Sequence, residues 1–193
     1  MLHRNATLVV AALVTSVTLA HAQAPAATAQ PEVGPRVGDT APDFTLSGAT
    51  MNGVMSAPIS LSKFKGQTVV IAFFPKARTS GCTAQMTGYR NQWATLFNGG
   101  KGIQVIGISM DADTTQANWA KEASLPMMFA SDMKGEAGAL YGAYKEGGKT
   151  ESRLLYVVGP DGKIKFTAKP FKPMVDESYA ELGAEIKKVA GNK

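Results

Sequence analysis

The only cysteine of this chain, Cys82, is the residue best suited to chemistry. A cysteine thiolate is a strong nucleophile, and it can be oxidised reversibly to a sulfenic acid. A single cysteine has no partner for an internal disulfide. The inert alternative is a small buried apolar side chain, which is common for free cysteine. The sequence around Cys82 has to decide between these two interpretations.

Histidine chemistry is almost excluded. The chain has two histidines, His3 and His21, and both lie in an N-terminal segment that we expect to be removed on export. Without histidine, neither a Ser-His-Asp triad nor a Cys-His pair can form, and most zinc sites lose a ligand. We therefore predict no metal site and no cofactor. Lysines are scattered rather than gathered in a basic stripe, so no nucleic-acid partner is expected either.

Two predicted elements position Cys82. The run Thr68 to Phe74 is apolar, β-branched and aromatic, which is typical of a strand buried on both faces. Pro75 ends this strand, a polar turn follows, and a helical stripe then runs to a stop at Gly99-Gly100; its apolar residues are Met86, Tyr89, Trp93 and Leu96. Cys82 lies on the same stripe in the first turn. A helix N-terminus stabilises a thiolate, whereas burial disfavours it.

The rest of the chain alternates strand-like and helix-like patterns. Asp113 is a candidate helix cap with Gln116 as its capping-box partner, and Gly159 to Gly162 is a strong hairpin signal. The predicted strands are 103–109, 127–130, 153–158 and 163–168, and the predicted helices are 113–123, 135–141 and one from Asp176 to Gly191. Such alternation predicts an α/β fold with a central mixed β-sheet flanked by helices.

The N-terminal residues have the pattern of a signal peptide. Arg4 precedes an apolar run from Ala6 to Ala20, and Ala20-His21-Ala22 is a small-x-small cleavage pattern. A retained membrane anchor is disfavoured because the run is shorter than the ~20 apolar residues that cross a bilayer. We expect a signal peptide over 1–22, a flexible lead-in over 23–36 and one domain over 37–193. We then expect the mature protein to be exported to the periplasm, with no attachment to the membrane.

The stretch from Pro75 to Cys82 reads Pro-Lys-Ala-Arg-Thr-Ser-Gly-Cys. It resembles the Pro-x-x-x-Thr-x-x-Cys signature of the peroxiredoxins, the AhpC/TSA superfamily. The resemblance is closest to the bacterioferritin-comigratory, or peroxiredoxin Q, branch, with Ser80 where proline is usual. Three further blocks match the family in order, at 37–46, at 61–66, and at Arg153 with the Val-Val-Gly-Pro-Asp-Gly-Lys-Ile that follows it. The resemblance implies a thioredoxin-like fold.

The resemblance also implies a thiol peroxidase that reduces hydrogen peroxide or alkyl hydroperoxides. Cys82 would attack the terminal peroxide oxygen and become a sulfenic acid. Thr79 would offer its hydroxyl to the thiolate and the peroxide, and Pro75 would shape the loop and shield it from water. Arg153 would be a fixed cation that stabilises the charge developing as the O–O bond breaks. Arg78 is a weaker cationic candidate.

Two positions depart from the resembling branch. Thr87 stands where a resolving cysteine is often found, five residues after Cys82. An external thiol, either glutathione or a thioredoxin-like protein, must therefore reduce the sulfenic acid in a one-cysteine mechanism. Leu154 stands where a small or hydroxylated residue is more usual, which affects the polarity of the pocket. The protein is expected to be a monomer or a homodimer.

Three other functions remain open from the sequence. The strongest is a catalytically silent thioredoxin-fold protein that acts as a binding or assembly partner in the cell envelope. A thiol-disulfide carrier would need a Cys-x-x-Cys motif, and Gln85 and Met86 follow Cys82 instead. Copper handling is suggested by methionines such as Met51 and the Met127-Met128 pair, but the paired cysteines and the histidine of such carriers are missing.

Overall fold

The computed structural model describes residues 33–191. The predicted signal peptide and most of the predicted lead-in lie outside the described residues. The last residues of that lead-in contact the domain: Gly34 packs against the carbonyl of Tyr141, and Lys169 Nζ donates a hydrogen bond to Pro35 O at 3.1 Å. Between residues 33 and 191, every helix is too short or too polar to serve as a membrane span.

Eight strands form one mixed sheet in the order β2-β1-β6-β5-β4-β7-β8, with β3 paired to β1. The strands β4, β5 and β6 run parallel to one another, and the other pairings are antiparallel. Their bounds are β1 Thr45–Thr50, β2 Gly53–Val54, β3 Ile59–Ser60, β4 Thr68–Phe73, β5 Ile103–Ser109, β6 Met128–Ser131, β7 Leu155–Val158 and β8 Ile164–Ala168. The predicted α/β class with a central mixed sheet and the thioredoxin-like fold are confirmed.

Within residues 33–191, five helices flank the sheet: α1 Ser80–Asn91, α2 Trp93–Leu96, α3 Asp113–Glu122, α4 Glu136–Tyr141 and α5 Asp176–Gly191. Short 3-10 turns occupy Leu61–Phe64 and Asn98–Gly100. The single helix predicted from Cys82 to Leu96 is divided at Gln92, where ψ of 16° interrupts the helical backbone. Tyr89 and Leu96 nevertheless stay buried on the same side.

Strand β4 separates two hydrophobic layers because its side chains alternate between faces. Val70, Ala72 and Phe74 pack with α1, α3 and α5 in the layer that also contains Cys82. Val69, Ile71 and Phe73 pack on the other face, among residues that include Tyr141 of α4. With β5 on one side and β7 on the other, β4 is central. The loop at its carboxyl end therefore lies in the middle of the sheet edge.

The predicted capping box at α3 is wrong. The N-cap residue is Ala112, which makes no side-chain hydrogen bond, and Gln116 is buried against the sheet. Gln116 Nε2 donates to Ser109 Oγ at 2.9 Å and to Ala130 O at 3.2 Å. A buried amide must find polar partners, and the nearest ones lie on β5 and β6. The strands β1 to β3, whose short runs carry little periodicity, were not predicted.

Candidate active site

The loop from Pro75 to Thr79 connects β4 to α1 and is hydrogen-bonded to the segment that follows β5. Pro75 is half-buried and follows the end of β4. Ala77 N donates to Asp111 Oδ2 at 2.7 Å, and Ser109 Oγ donates to the same oxygen at 2.9 Å. Since Asp111 comes directly after β5, the parallel pairing of β4 and β5 fixes where this loop can pass.

Arg78 does not face the sulfur. Its backbone has φ of +64°, an uncommon conformation for a residue other than glycine. Its guanidinium forms a bidentate pair with Glu122 of α3, with Nη2 to Oε1 at 2.7 Å and Nε to Oε2 at 3.0 Å. The paired guanidinium lowers the pKa of Glu122. The guanidinium of Arg78 is therefore paired with a surface carboxylate.

Cys82 occupies the first turn of α1 and is fully buried among apolar residues. Thr79 is the N-cap residue of this helix, and its carbonyl accepts the amide of Thr83 at 2.8 Å. The Thr79 hydroxyl donates to Lys76 O at 2.9 Å. In the described part of the chain, the hydroxyl proton is thus directed at the loop backbone and not at the sulfur.

Arg153 reaches Cys82 through the pairing of two strands. It lies two residues before β7, and β7 runs antiparallel to β4. Arg153 O accepts the amide of Phe171 at 3.2 Å, which holds its backbone from the other side. As a result, Arg153 Nη2 lies 3.4 Å from Cys82 Sγ. The structure brings these two predicted residues together, while their catalytic roles stay predictions.

Gln85 is a site residue that the sequence analysis missed. It is fully buried one turn after Cys82, and its Oε1 accepts a hydrogen bond from Arg153 Nη1. Its Nε2 donates to Tyr89 OH at 3.0 Å. Burial raises the pKa of Tyr89, so the phenol stays neutral and can accept this bond. The available signal was a polar residue that falls on the apolar stripe at helical spacing from both Cys82 and Tyr89.

A glycine and an aromatic wall complete the surroundings of the guanidinium. A Cβ on Gly81 would lie 3.2 Å from Arg153 Nη2, so glycine lets the guanidinium approach the helix closely. Phe171 and Tyr179 pack edge-to-face at 5.2 Å, and Tyr89 lies within 6 Å of both ring centres. Burial raises the pKa of Tyr179 to about 12. This wall is neutral, so it does not offset the positive charge of Arg153.

The charge of Arg153 is open to an anion at the sulfur. Among the ion pairs between residues 33 and 191, none involves Arg153. A guanidinium without a carboxylate partner, next to a buried sulfur, can stabilise negative charge on an oxygen that approaches it. The arrangement is therefore suited to nucleophilic attack by Cys82 on an electrophilic oxygen.

The remaining candidates lie away from this chemistry. Leu154 is buried in the layer on the opposite face of the sheet from Cys82. Thr87 Oγ donates back to Thr83 O at 2.7 Å on α1. Met127 is buried in the core, and Met51 is exposed in the turn after β1. Between residues 33 and 191 there is no group of three His, Cys, Asp or Glu that could hold a metal.

Comparison with known proteins gives consistent matches. A family model described as the AhpC/TSA family matches residues 37–167. Peroxiredoxin Bcp of Escherichia coli K12 is 32% identical over 143 residues, which cover 71% of this chain and 87% of that protein. Chloroplastic peroxiredoxin Q of Sedum lineare is 33% identical over 129 residues, covering 66% of each. The crystal structure of peroxidoxin BcpB from Mycobacterium tuberculosis superimposes with a TM-score of 0.67 at 26% identity, covering 79% of this chain and 97% of that one.

Proposed function

We propose that this chain, which belongs to the AhpC/TSA family and is a peroxiredoxin-type thiol peroxidase, uses Cys82 as its peroxidatic thiolate and Arg153 as the cation that serves it. The observation that carries the proposal is the 3.4 Å separation between Arg153 Nη2 and Cys82 Sγ. Hydrogen peroxide and alkyl hydroperoxides are the substrates. A thiol from outside the chain is the reductant.

The chemical step is a displacement at oxygen. The Cys82 thiolate attacks the terminal peroxide oxygen, a sulfur–oxygen bond forms and the O–O bond breaks. The sulfur is oxidised to a sulfenic acid, and the peroxide is reduced to water or an alcohol after the leaving oxygen takes a proton. Negative charge moves from sulfur to oxygen during this step. The guanidinium of Arg153, already oriented by Gln85, is placed to stabilise that charge without reorganisation.

Pro75 and Thr79 have supporting roles in this proposal. Pro75, half-buried between β4 and the loop, limits the access of water to the sulfur. The Thr79 hydroxyl, which donates to Lys76 O in the structure, rotates to donate to the substrate peroxide when it binds. Rotation of a hydroxyl is inexpensive because its hydrogen is free to follow the best acceptor. A Thr79→Val variant tests this role because it keeps the shape and removes the donor.

Reduction of the sulfenic acid requires two external thiols in turn. The first condenses with Cys82 to a mixed disulfide and releases water. The second attacks the sulfur of the first, forms a disulfide with it and releases Cys82 as the thiol. Since Cys82 is the only cysteine, no second thiol of the chain can take the place of the external thiols. Cys82 is fully buried, so the first turn of α1 must open before an external thiol can reach it. Glutathione and a thioredoxin-like protein are the reductants to compare.

The place of action and the assembly belong to the same proposal. The leader pattern over residues 1–22 favours export to the periplasm, and the protein acts there as a monomer or homodimer. N-terminal sequencing of protein recovered from the cell envelope tests the cleavage after Ala22. Sedimentation of the reduced protein measures its oligomeric state. An intact leader on protein that stays in the cytoplasm would contradict the proposed location.

The test of the peroxidase chemistry is stopped-flow oxidation of the purified protein followed by mass spectrometry. We expect micromolar peroxide to add one oxygen atom to Cys82 within seconds. Cys82→Ser is expected to abolish peroxide consumption while the far-ultraviolet circular dichroism is unchanged, because serine has nearly the same shape and no oxidisable sulfur. Peroxide consumption that persists in Cys82→Ser would overturn the assignment of the nucleophile.

A further inference from the structure

Two buried carboxyl groups lie beside the segment that leads to Arg153. Glu151 is 2% exposed and stands two residues before Arg153, and Asp132 is 1% exposed and follows β6. Within residues 33–191, both carboxyl oxygens of Glu151 and the Oδ1 of Asp132 lack a hydrogen-bond donor. Two buried carboxylates with three oxygens that accept no hydrogen bond would be strongly destabilising. The pair must therefore offset this free-energy cost of burial.

A single shared proton satisfies the pair. Asp132 Oδ2 accepts the amide of Gly138 at 2.7 Å in the first turn of α4, where an anion is favourable. A Cβ on Gly138 would lie 2.5 Å from Glu151 Oε1, so the Glu151 carboxyl is packed against the same turn. A protonated Glu151 can then donate its O–H to the free Oδ1 of Asp132. Asp132 is the acceptor of the pair and Glu151 is the acid.

The groups around Glu151 all favour its neutral form. Asp132 approaches from the loop between β6 and α4, and Asp111 from the loop between β5 and α3. The Tyr144 Cβ packs over Gly138 from the segment that follows α4. Burial raises the pKa of Glu151 to about 10, and the hydrogen bond and negative charge of Asp132, together with the charge of Asp111, act in the same direction.

The pair is mechanically close to the active site. Ser152 N donates to Ala143 O at 2.7 Å, and Arg153 O accepts the amide of Phe171, so the chain from Glu151 to β7 is held at each residue. Two residues span at most about 7 Å. A displacement of Glu151 that breaks the hydrogen bond of Ser152 to Ala143 therefore moves the residue next to Arg153. Because the Arg153 guanidinium lies 3.4 Å from the sulfur, a small shift of this backbone is enough to break their contact.

We propose that Glu151 is a positioning residue for Arg153, in which a neutral acid hydrogen-bonded to Asp132 anchors the segment before β7 and its ionisation displaces that segment and slows peroxide reduction at alkaline pH. The inference depends on the proposed function of Arg153 at Cys82. It adds a residue that does not touch the reacting atoms. It also adds a regulatory property, the loss of activity when a buried carboxylic acid deprotonates.

The test compares the rate constant of Cys82 oxidation by hydrogen peroxide across about pH 6 to pH 11 in wild type, Glu151→Gln and Glu151→Ala. The glutamine amide can donate to Asp132 in place of the acid and cannot ionise. We expect Glu151→Gln to match wild type near neutral pH. The ratio of wild-type to Glu151→Gln rates should then fall, by about fivefold between pH 10 and pH 11, because only the neutral acid is active. Glu151→Ala should be slow at every pH.

The matched control is Glu146→Gln, which makes the same substitution on an exposed residue of the same segment. Its pH profile should follow wild type throughout. If the wild-type and Glu151→Gln profiles keep a constant ratio to pH 11, the inference is overturned, even when Glu151→Ala fails to fold. Arg153→Ala separates this result from the proposed function: a normal oxidation rate in that variant refutes the role of Arg153 itself.

Discussion

The fully buried Cys82 has neighbours on an exposed side, in the loop 75–79, and on a buried side, around Arg153, and the two sides differ in how they hold charge. On the exposed side, the loop 75–79 directs its hydroxyl to its own backbone and its cation, Arg78, to Glu122 at the surface. On the buried side, Arg153 contacts the sulfur and is held by a fully buried amide, Gln85. The exposed side contains the recognisable signature. The buried side contains the charge that the reaction requires.

This difference shows that proximity along the sequence is a poor guide to proximity at the sulfur. Arg78 is four residues from Cys82 and points away, whereas Arg153 is 71 residues away and lies within 3.4 Å. Exposed charges are screened by water and salt, while the half-buried guanidinium of Arg153, in contact with a fully buried sulfur, is screened less. If this comparison is right, substitutions on the buried side should slow the reaction far more than substitutions on the exposed side.

Arg153→Ala should have the largest effect on the buried side. Removal of a preorganised donor at a developing oxyanion typically slows a reaction by about 10² to 10³-fold, and we expect a loss of that size in the rate constant of Cys82 oxidation. The measurement is stopped-flow fluorescence of the reduced protein against peroxide concentration. Arg153→Lys, which keeps the charge and loses the planar fork, should fall between wild type and Arg153→Ala. If the rate constant of Arg153→Ala falls by less than about threefold, the expected difference between the buried and the exposed side is contradicted.

Gln85→Leu should have the next largest effect. The leucine fills the space but leaves Arg153 Nη1 without its acceptor and Tyr89 OH without its donor. An unsatisfied buried partner costs about 1–3 kcal/mol of stability. Because the guanidinium also loses the acceptor that orients it at the sulfur, the oxidation rate should fall by up to about 10²-fold. Stopped-flow kinetics measure the rate, and thermal unfolding measures the accompanying loss of stability.

The control for Gln85→Leu is Gln92→Leu, which places the same substitution at the end of the same helix. The Gln92 side chain is only half-buried, so this variant should oxidise at nearly the wild-type rate. If both leucine variants slow the reaction equally, the effect belongs to α1 as a whole. The hydrogen bond from Arg153 to Gln85 would then have no special role.

The sequence predicted the elements whose periodicity is strong and local. The central strands β4 and β5, the closing hairpin and the helix α5 are where the patterns placed them, and Cys82 is in the first turn of α1. The proximity of Arg153 was expected only through resemblance, since nothing between residues 82 and 153 states which strands pair. Arg78, an equally basic residue nearer in sequence, could not be rejected without its partner Glu122.

Buried polar side chains account for most of what the sequence did not reveal. Gln85, Gln116 and Glu151 all look like ordinary surface residues in the sequence, and Gln116 was assigned to a capping box for that reason. Each is buried and has its polar partners on another element or across a helical turn. Burial of a polar group is permitted by those partners, and the partners are fixed by the fold. Local patterns contain no record of such pairings.

Arg78→Ala should have the smallest effect and is the sharpest test of the exposed side. Arginine and alanine have the same strain at φ of +64°, so the substitution removes the ion pair with Glu122 and leaves the backbone preference unchanged. Exposed ion pairs contribute little to stability. We expect an oxidation rate within about twofold of wild type and only a small fall in the midpoint of thermal unfolding. Glu122→Gln breaks the same pair from α3 and should behave alike.

A rate loss in Arg78→Ala near that of Arg153→Ala, with no such loss in Glu122→Gln, would contradict this expectation. The guanidinium of Arg78 would then have to leave Glu122 and turn toward the sulfur when peroxide binds. High salt distinguishes the cases further, because it screens the exposed guanidinium of Arg78 more strongly than the half-buried guanidinium of Arg153. A wild-type oxidation rate that is insensitive to salt therefore places the working charge on the buried side of Cys82, with Arg153.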